Sequence, residues 1–187
     1  NLPSDDPIVE IGTFSGLSTN VLLYFLNKYN KKNTLFTTDW FWGDIKKEEK
    51  NVCITDSTQL ITFLKDSFIG NVKFFNPNGK IFSTDLTSDD FFAAWNQNVE
   101  LNNLFGGKFK AEGQISFAYI DGNHKYDFAK KDFLNVDKLL IKGGYILFDD
   151  SADYTNWGSK LVAQEAVKSG KYKVVFKNPH YLVQKIS

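Results

Sequence analysis

Short apolar runs alternate along the chain with stretches of helical period, and this alternation fixes the first reading of its architecture. Residues 7–11 (PIVEI), 34–38 (TLFTT), 115–120 (ISFAYI) and 145–148 (YILF) are strand-length and apolar enough to be buried on both faces. Between them, residues 17–29 place Leu22, Leu23, Phe25, Leu26 and Tyr29 at helical spacing, with Ser18 or Thr19 as the expected cap. Residues 57–68, 89–104, 126–140 and 156–169 read as further helices, the third closed by Lys142-Gly143-Gly144 as a glycine C-cap and the fourth stopped by Gly170. Residues 72–75 and 80–83 flank a turn signal at Asn76-Pro-Asn-Gly79, and either flank can supply the third sheet strand. Residues 105–113 form a Gly/Lys loop, and residues 43–56, charged and without period, read as a lid. Two strands at 172–176 and 181–186, joined through Asn178-Pro179, end the chain as an antiparallel edge pair. The sum is a single α/β domain over residues 1–187. Its expected form is a Rossmann-like, doubly wound, mostly parallel seven-stranded sheet with an antiparallel C-terminal strand pair and helices on both faces.

Composition narrows the class of function. The chain holds 22 basic and 22 acidic residues, so no field favours nucleic acid or an anionic membrane, and no apolar run is long enough to span a bilayer. All the basic residues are lysine, so an anion site has to use Lys, backbone N–H groups or helix N-termini. One cysteine, Cys53, and the lack of a signal-peptide pattern fit a reducing, cytoplasmic setting. There is no methionine at all and the first strand begins at once, which points to a trimmed N-terminus. The sequence is silent on oligomeric state and leaves room for a homo-oligomer.

Chemistry collects where strands end, which in an open α/β sheet is where ligands bind. The first strand runs into Glu10-Ile-Gly12-Thr13-Phe14-Ser15-Gly16, where Gly12 permits a tight turn and Gly16 a close approach. A dinucleotide-binding GxGxxG turn would need glycine at position 14, which is Phe14. Asp39 ends the second strand, placed to accept hydrogen bonds from a ribose diol, and Trp40-Phe41-Trp42 follows as aromatic stacking surface. Asp121 ends the 115–120 strand and His124 follows three residues later; Asp149 and Asp150 end the next strand. If those two strands are neighbours, three carboxylates converge, and a hard divalent cation with oxygen ligands relieves their repulsion. Against this stands the plainer reading that one of the Asp pair only caps the following segment. An imidazole is the side chain best suited to act as a base at cellular pH, so His124 can serve as one, whereas His180, in Asn178-Pro-His-Tyr, reads as structural.

The segments IVEIGTFSG, FAYIDGNHKYDFAKKDF and LLIKGGYILFDDS resemble the successive motifs of the class I S-adenosylmethionine-dependent methyltransferases, and within them the macrocin-type sugar O-methyltransferases. The resemblance covers nearly the whole chain. It implies S-adenosylmethionine held by Glu10, Gly12, Thr13, Gly16, Asp39 and Asp121. It also implies a divalent cation, Mg²⁺ by preference, on Asp121, Asp149 and Asp150, and His124 as the general base. The expected acceptor is a hydroxyl of a sugar or glycosylated small molecule. Catechol-type relatives carry Lys where this chain has His124, yet the Trp40–Trp42 aromatics keep a catechol or phenol acceptor as the alternative. A non-catalytic cofactor-binding module of the same fold is the other.

Overall fold

The computed structural model describes residues 2–41 and 57–187. The proposed lid at residues 43–56 and Trp42 therefore lie outside the described residues. Strands β1 (Ile8–Ile11), β2 (Leu35–Thr38), β3 (Ile81–Thr84), β6 (Ile115–Ile120), β7 (Leu140–Phe148), β9 (Tyr181–Lys185) and β8 (Tyr172–Phe176) form one seven-stranded sheet in the order β3-β2-β1-β6-β7-β9-β8. The first five of these pair in parallel, and β9 runs antiparallel to both β7 and β8. A separate hairpin, β4 (Leu101–Asn102) with β5 (Lys108–Phe109), stands apart from the sheet. The helices are α1 (Leu17–Lys28), α2 (Ser57–Phe75), α3 (Ser88–Asn96), α4 (Tyr126–Leu139) and α5 (Gly158–Lys168).

Alternation along β1 divides the core. Ile8 packs with Leu23, Leu26, Leu35, Phe68 and Val72 under α1 and α2, whereas Val9 and Ile11 join Phe91, Trp95, Phe133, Val136 and Val162 under α3, α4 and α5. Helices thus cover both faces of a parallel sheet, whose strands read as continuous apolar runs for that reason. Topology reverses at β1, which has β2 on one side and β6 on the other. The crevice at such a switch point is the ligand-binding position of doubly wound sheets.

Several local expectations are corrected. Residues 72–75 finish α2, so β3 is the 80–83 flank, and the Asn76–Gly79 turn joins helix to strand through Gly79 N–H donating to Asn76 O at 2.9 Å. The helix expected at 89–104 stops at Asn96, because the chain turns at Asn98 with φ +55° and enters the β4–β5 hairpin. Lys142-Gly143-Gly144 is no C-cap: α4 ends at Leu139 and β7 begins at once, since the parallel pairing of Leu140 with Ile115 captures the chain. Of the apolar positions on α1 only Leu23 and Leu26 are buried among those named, while Phe25 and Tyr29 are exposed. Its N-cap is Gly16, at φ +88°, and neither Ser18 nor Thr19 caps it. Their hydroxyls are drawn inward instead.

Candidate active site

The turn after β1 is built around two carboxylates. Glu10 is fully buried and accepts hydrogen bonds from Ser18 Oγ and Thr19 Oγ1, both at 2.5 Å. Burial raises its carboxyl to about 7, against the opposing pull of those two hydroxyls. Asp39 Oδ2 accepts from Thr13 N at 2.7 Å, Phe14 N at 2.8 Å and Thr13 Oγ1 at 3.1 Å. The acid expected to meet a ribose therefore also fixes the glycine turn, using the same N–H groups that open a phosphate- or ribose-binding cradle elsewhere. Gly12 sits at φ +85°, and a Cβ there would overlap the Asp121 carbonyl, so the turn after β1 lies directly against the end of β6. Gly16 takes the close approach of α2, since a Cβ added there would stand 3.1 Å from Phe68 Cδ2. Trp40 is half exposed beside Asp39, but Phe41 is buried against Phe68 and is no stacking surface.

The ends of β6 and β7 bring the second group together. Ile120 pairs with Phe148, and Asp149 N–H donates to Ile120 O at 2.9 Å, which sets Asp121 beside Asp149. Asp121, His124 and Asp149 each offer a ligand atom, and these atoms lie within 4.8 Å of one another. The grouping differs in one member from the expected three carboxylates. Asp150 turns instead to the imidazole, its Oδ2 3.6 Å from His124 Nε2. Its backbone is left-handed, at φ +46°. Asp121 is pushed up to about 8, first by burial and then by its hydrogen bond to Asp149 and the charge there. Tyr119, on β6, donates to Asp149 Oδ1 at 2.9 Å; burial and the nearby Asp121 charge hold its phenol protonated.

His124 is fixed from behind. Its carbonyl accepts Gly158 N–H at 2.8 Å, and the half-exposed Trp157 ring lies 5.4 Å from the imidazole. Gly158 is required there, because a Cβ would overlap the backbone of Tyr126. Three residues, Asp85, Tyr119 and Trp157, are not singled out as site candidates in the sequence, and His180 reads there as structural. Asp85 ends β3 with Oδ2 2.7 Å from Lys65 Nζ and Oδ1 buried without a hydrogen-bond partner. The strand-end rule applied to Asp39 and Asp121 would have found it had β3 been placed. Tyr119, Trp157 and His180 carry no signal in sequence, since only folding brings Tyr119 and His180 to Asp149 and Trp157 to His124.

A family profile described as "Methyltransferase domain" matches residues 9–151, from β1 to the acidic pair. The chain belongs to the methyltransferase domain family. Its fold is that of class I methyltransferases. An O-methyltransferase from Bacillus cereus, solved in complex with SAH, is 16% identical, with a TM-score of 0.62, over 98% of this methyltransferase domain and 74% of that chain. The O-methyltransferase NovP is 14% identical with a TM-score of 0.62, over 100% of this chain and 74% of its own. CalS11, a TDP-rhamnose 3'-O-methyltransferase, is 15% identical with a TM-score of 0.54, over 95% and 70%. At these identities the likeness is one of fold. An uncharacterized protein, R132, of Acanthamoeba polyphaga mimivirus is 40% identical over 65 residues, which span 31% of this methyltransferase domain and 28% of the viral protein. The domain thus matches under a third of the length of that relative.

Proposed function

We propose that this methyltransferase domain moves the methyl group of S-adenosylmethionine to a hydroxyl of a sugar or glycosylated small molecule, assisted by a divalent cation. The observation that carries this reading is the convergence of Asp121, His124 and Asp149 within 4.8 Å, beside a glycine turn locked by Asp39. The donor set suits a cation. Two carboxylates share one partly buried place, and Asp121 is driven toward its protonated form when no positive charge balances Asp149.

The residues then divide the work. Gly12, Thr13 and Gly16, in the turn that Asp39 holds through Thr13 and Phe14, and Glu10 behind them shape the cofactor cradle; Asp121 stands where cradle and acceptor site meet. Asp121 and Asp149 are the carboxylates for the cation, while Asp150 turns to His124. When bound, S-adenosylmethionine supplies the methyl group, and a cation of the Mg²⁺ type polarises the acceptor hydroxyl. His124 takes the hydroxyl proton, and Asp150 at 3.6 Å stabilises the resulting imidazolium. The same imidazole is close enough to ligate the cation, but its Asp150 partner and Trp157 neighbour favour the proton-transfer role. The neighbour CalS11, named for a TDP-rhamnose acceptor, supports the sugar reading. A catechol acceptor finds support in the exposed Trp40.

Methyl transfer to a panel of sugar nucleotides, glycans and catechols, with and without EDTA, tests the proposal. Sugar methylation abolished by EDTA is expected, with kcat falling about 10²- to 10⁴-fold in His124→Ala. Absence of S-adenosylmethionine binding in calorimetry overturns the enzyme reading; full activity in EDTA overturns the cation.

A further inference from the structure

The turn between β8 and β9 delivers a second histidine to the acidic pair. His180 Nδ1 lies 3.2 Å from Asp149 Oδ1, close enough for an ion pair but off the axis of a hydrogen bond, so the nitrogen is buried without a hydrogen-bond partner. A buried imidazole nitrogen in that state is costly, so its position has to be imposed by its surroundings. It is imposed. Tyr181 N–H donates to Ser151 Oγ at 2.7 Å, Tyr181 OH to Asp153 Oδ1 at 2.6 Å, and Asp153 N–H to Asn178 Oδ1 at 2.9 Å. Lys177 Nζ pairs with Asp153 Oδ2 at 2.7 Å. These contacts stitch residues 177–181 to residues 151–153 on both sides of His180, and the ring so placed lies against Asp149.

The geometry points to His180 as a positioning residue for Asp149. Tyr119 from β6 and His180 from the edge of β9 approach the same oxygen, Oδ1, from two sides. With that oxygen engaged by protein groups, the carboxylate is held in one orientation, turned to the place it shares with Asp121 and His124. Outer partners of this kind orient a ligating carboxylate and are worth roughly 10- to 100-fold in metal affinity. The inference rests on the cation reading of the preceding section, and it makes β9, the antiparallel strand, a functional part of that site.

Mn²⁺ binding followed by the loss of its free-ion EPR signal tests this on the whole chain, with S-adenosylmethionine affinity measured alongside. His180→Leu is expected to weaken Mn²⁺ binding by roughly 10- to 100-fold while S-adenosylmethionine affinity stays unchanged. His180→Asn, whose amide nitrogen occupies the Nδ1 position, is expected to bind Mn²⁺ close to the unmodified level. His180→Gln, whose amide reaches the Nε2 position instead, is expected to behave as Leu does. If His180→Leu binds Mn²⁺ as tightly as the unmodified chain, the positioning role is wrong and the cation site stands. If the unmodified chain binds no Mn²⁺, the cation reading itself falls and takes this inference with it. Should His180→Leu fail to fold, the Asn and Gln pair decides: equal affinity in both overturns the inference.

Discussion

Individual residues here are constrained by two physical facts, left-handed backbone and buried charge. Gly12 combines φ +85° with backbone contact to Asp121, so Gly12→Ala meets both strain and overlap. A loss of at least about 3 kcal/mol in urea unfolding is expected. Gly16→Ala meets the same left-handed strain, at φ +88°, but its new Cβ meets a side chain (Phe68 Cδ2 at 3.1 Å) and no backbone, so it should cost about 1–2 kcal/mol. Glu10 governs a pH dependence. Its folded carboxyl, raised by burial to about 7, exceeds the ordinary value of 4.5. The folded state then binds the proton more tightly, so its contribution to stability is complete below pH 4.5 and is lost as pH rises through about 7. The amount is of the order of 3 kcal/mol. Glu10→Gln is expected to flatten this slope and to be more stable than the parent at pH 8; unfolding curves at pH 5 and pH 8 measure it. The sequence showed Glu10 as an acid beside a glycine turn. That both its oxygens serve Ser18 and Thr19 was decided by α1 folding back over β1.

Among elements, the joint between α3 and α4 is the informative one. Thr87 caps α3, accepting Asp90 N–H at 3.1 Å. Ser88 Oγ donates a short hydrogen bond to Asp132, a buried acid of α4. Burial raises Asp132 to about 6. Ser88→Ala leaves that acid without its partner. The expected cost is about 2–3 kcal/mol at pH 8, where the carboxylate is charged, and about 1 kcal/mol at pH 5, where it is largely protonated. Helices whose apolar spacing and stop signals agreed, such as α5 before Gly170, were legible in the chain. The end of α4 was not, because Gly143 and Gly144 carry the same local signal inside β7 as they would past a helix.

For the whole molecule, the sheet order decides the site. Asp121 and Asp149 face each other only because β6 and β7 are neighbours in register. The proposed cation would bind the folded chain alone, so adding it should raise the melting temperature. At 100 times its Kd the gain is about 2.7 kcal/mol, or roughly 5–10 °C for a domain of this size. Thermal melts in Mn²⁺ against EDTA check this, and Asp149→Asn is expected to remove the difference.

What the chain determines by itself is local and periodic. Apolar runs on a doubly covered sheet, glycines at the first turn, and acids at strand ends each follow from the chemistry of adjacent residues, and together they specified fold and family. The tertiary structure decided which distant groups share a space. It paired His124 with Asp150, gave Asp39 to the backbone of the glycine turn, and brought Tyr119 and His180 to Asp149. Those contacts join residues 25 to 31 positions apart, at or beside five strands of the sheet. No sequence period records such separations, because they are set by strand order and register, which are settled by how the strands bury their faces against the rest of the fold.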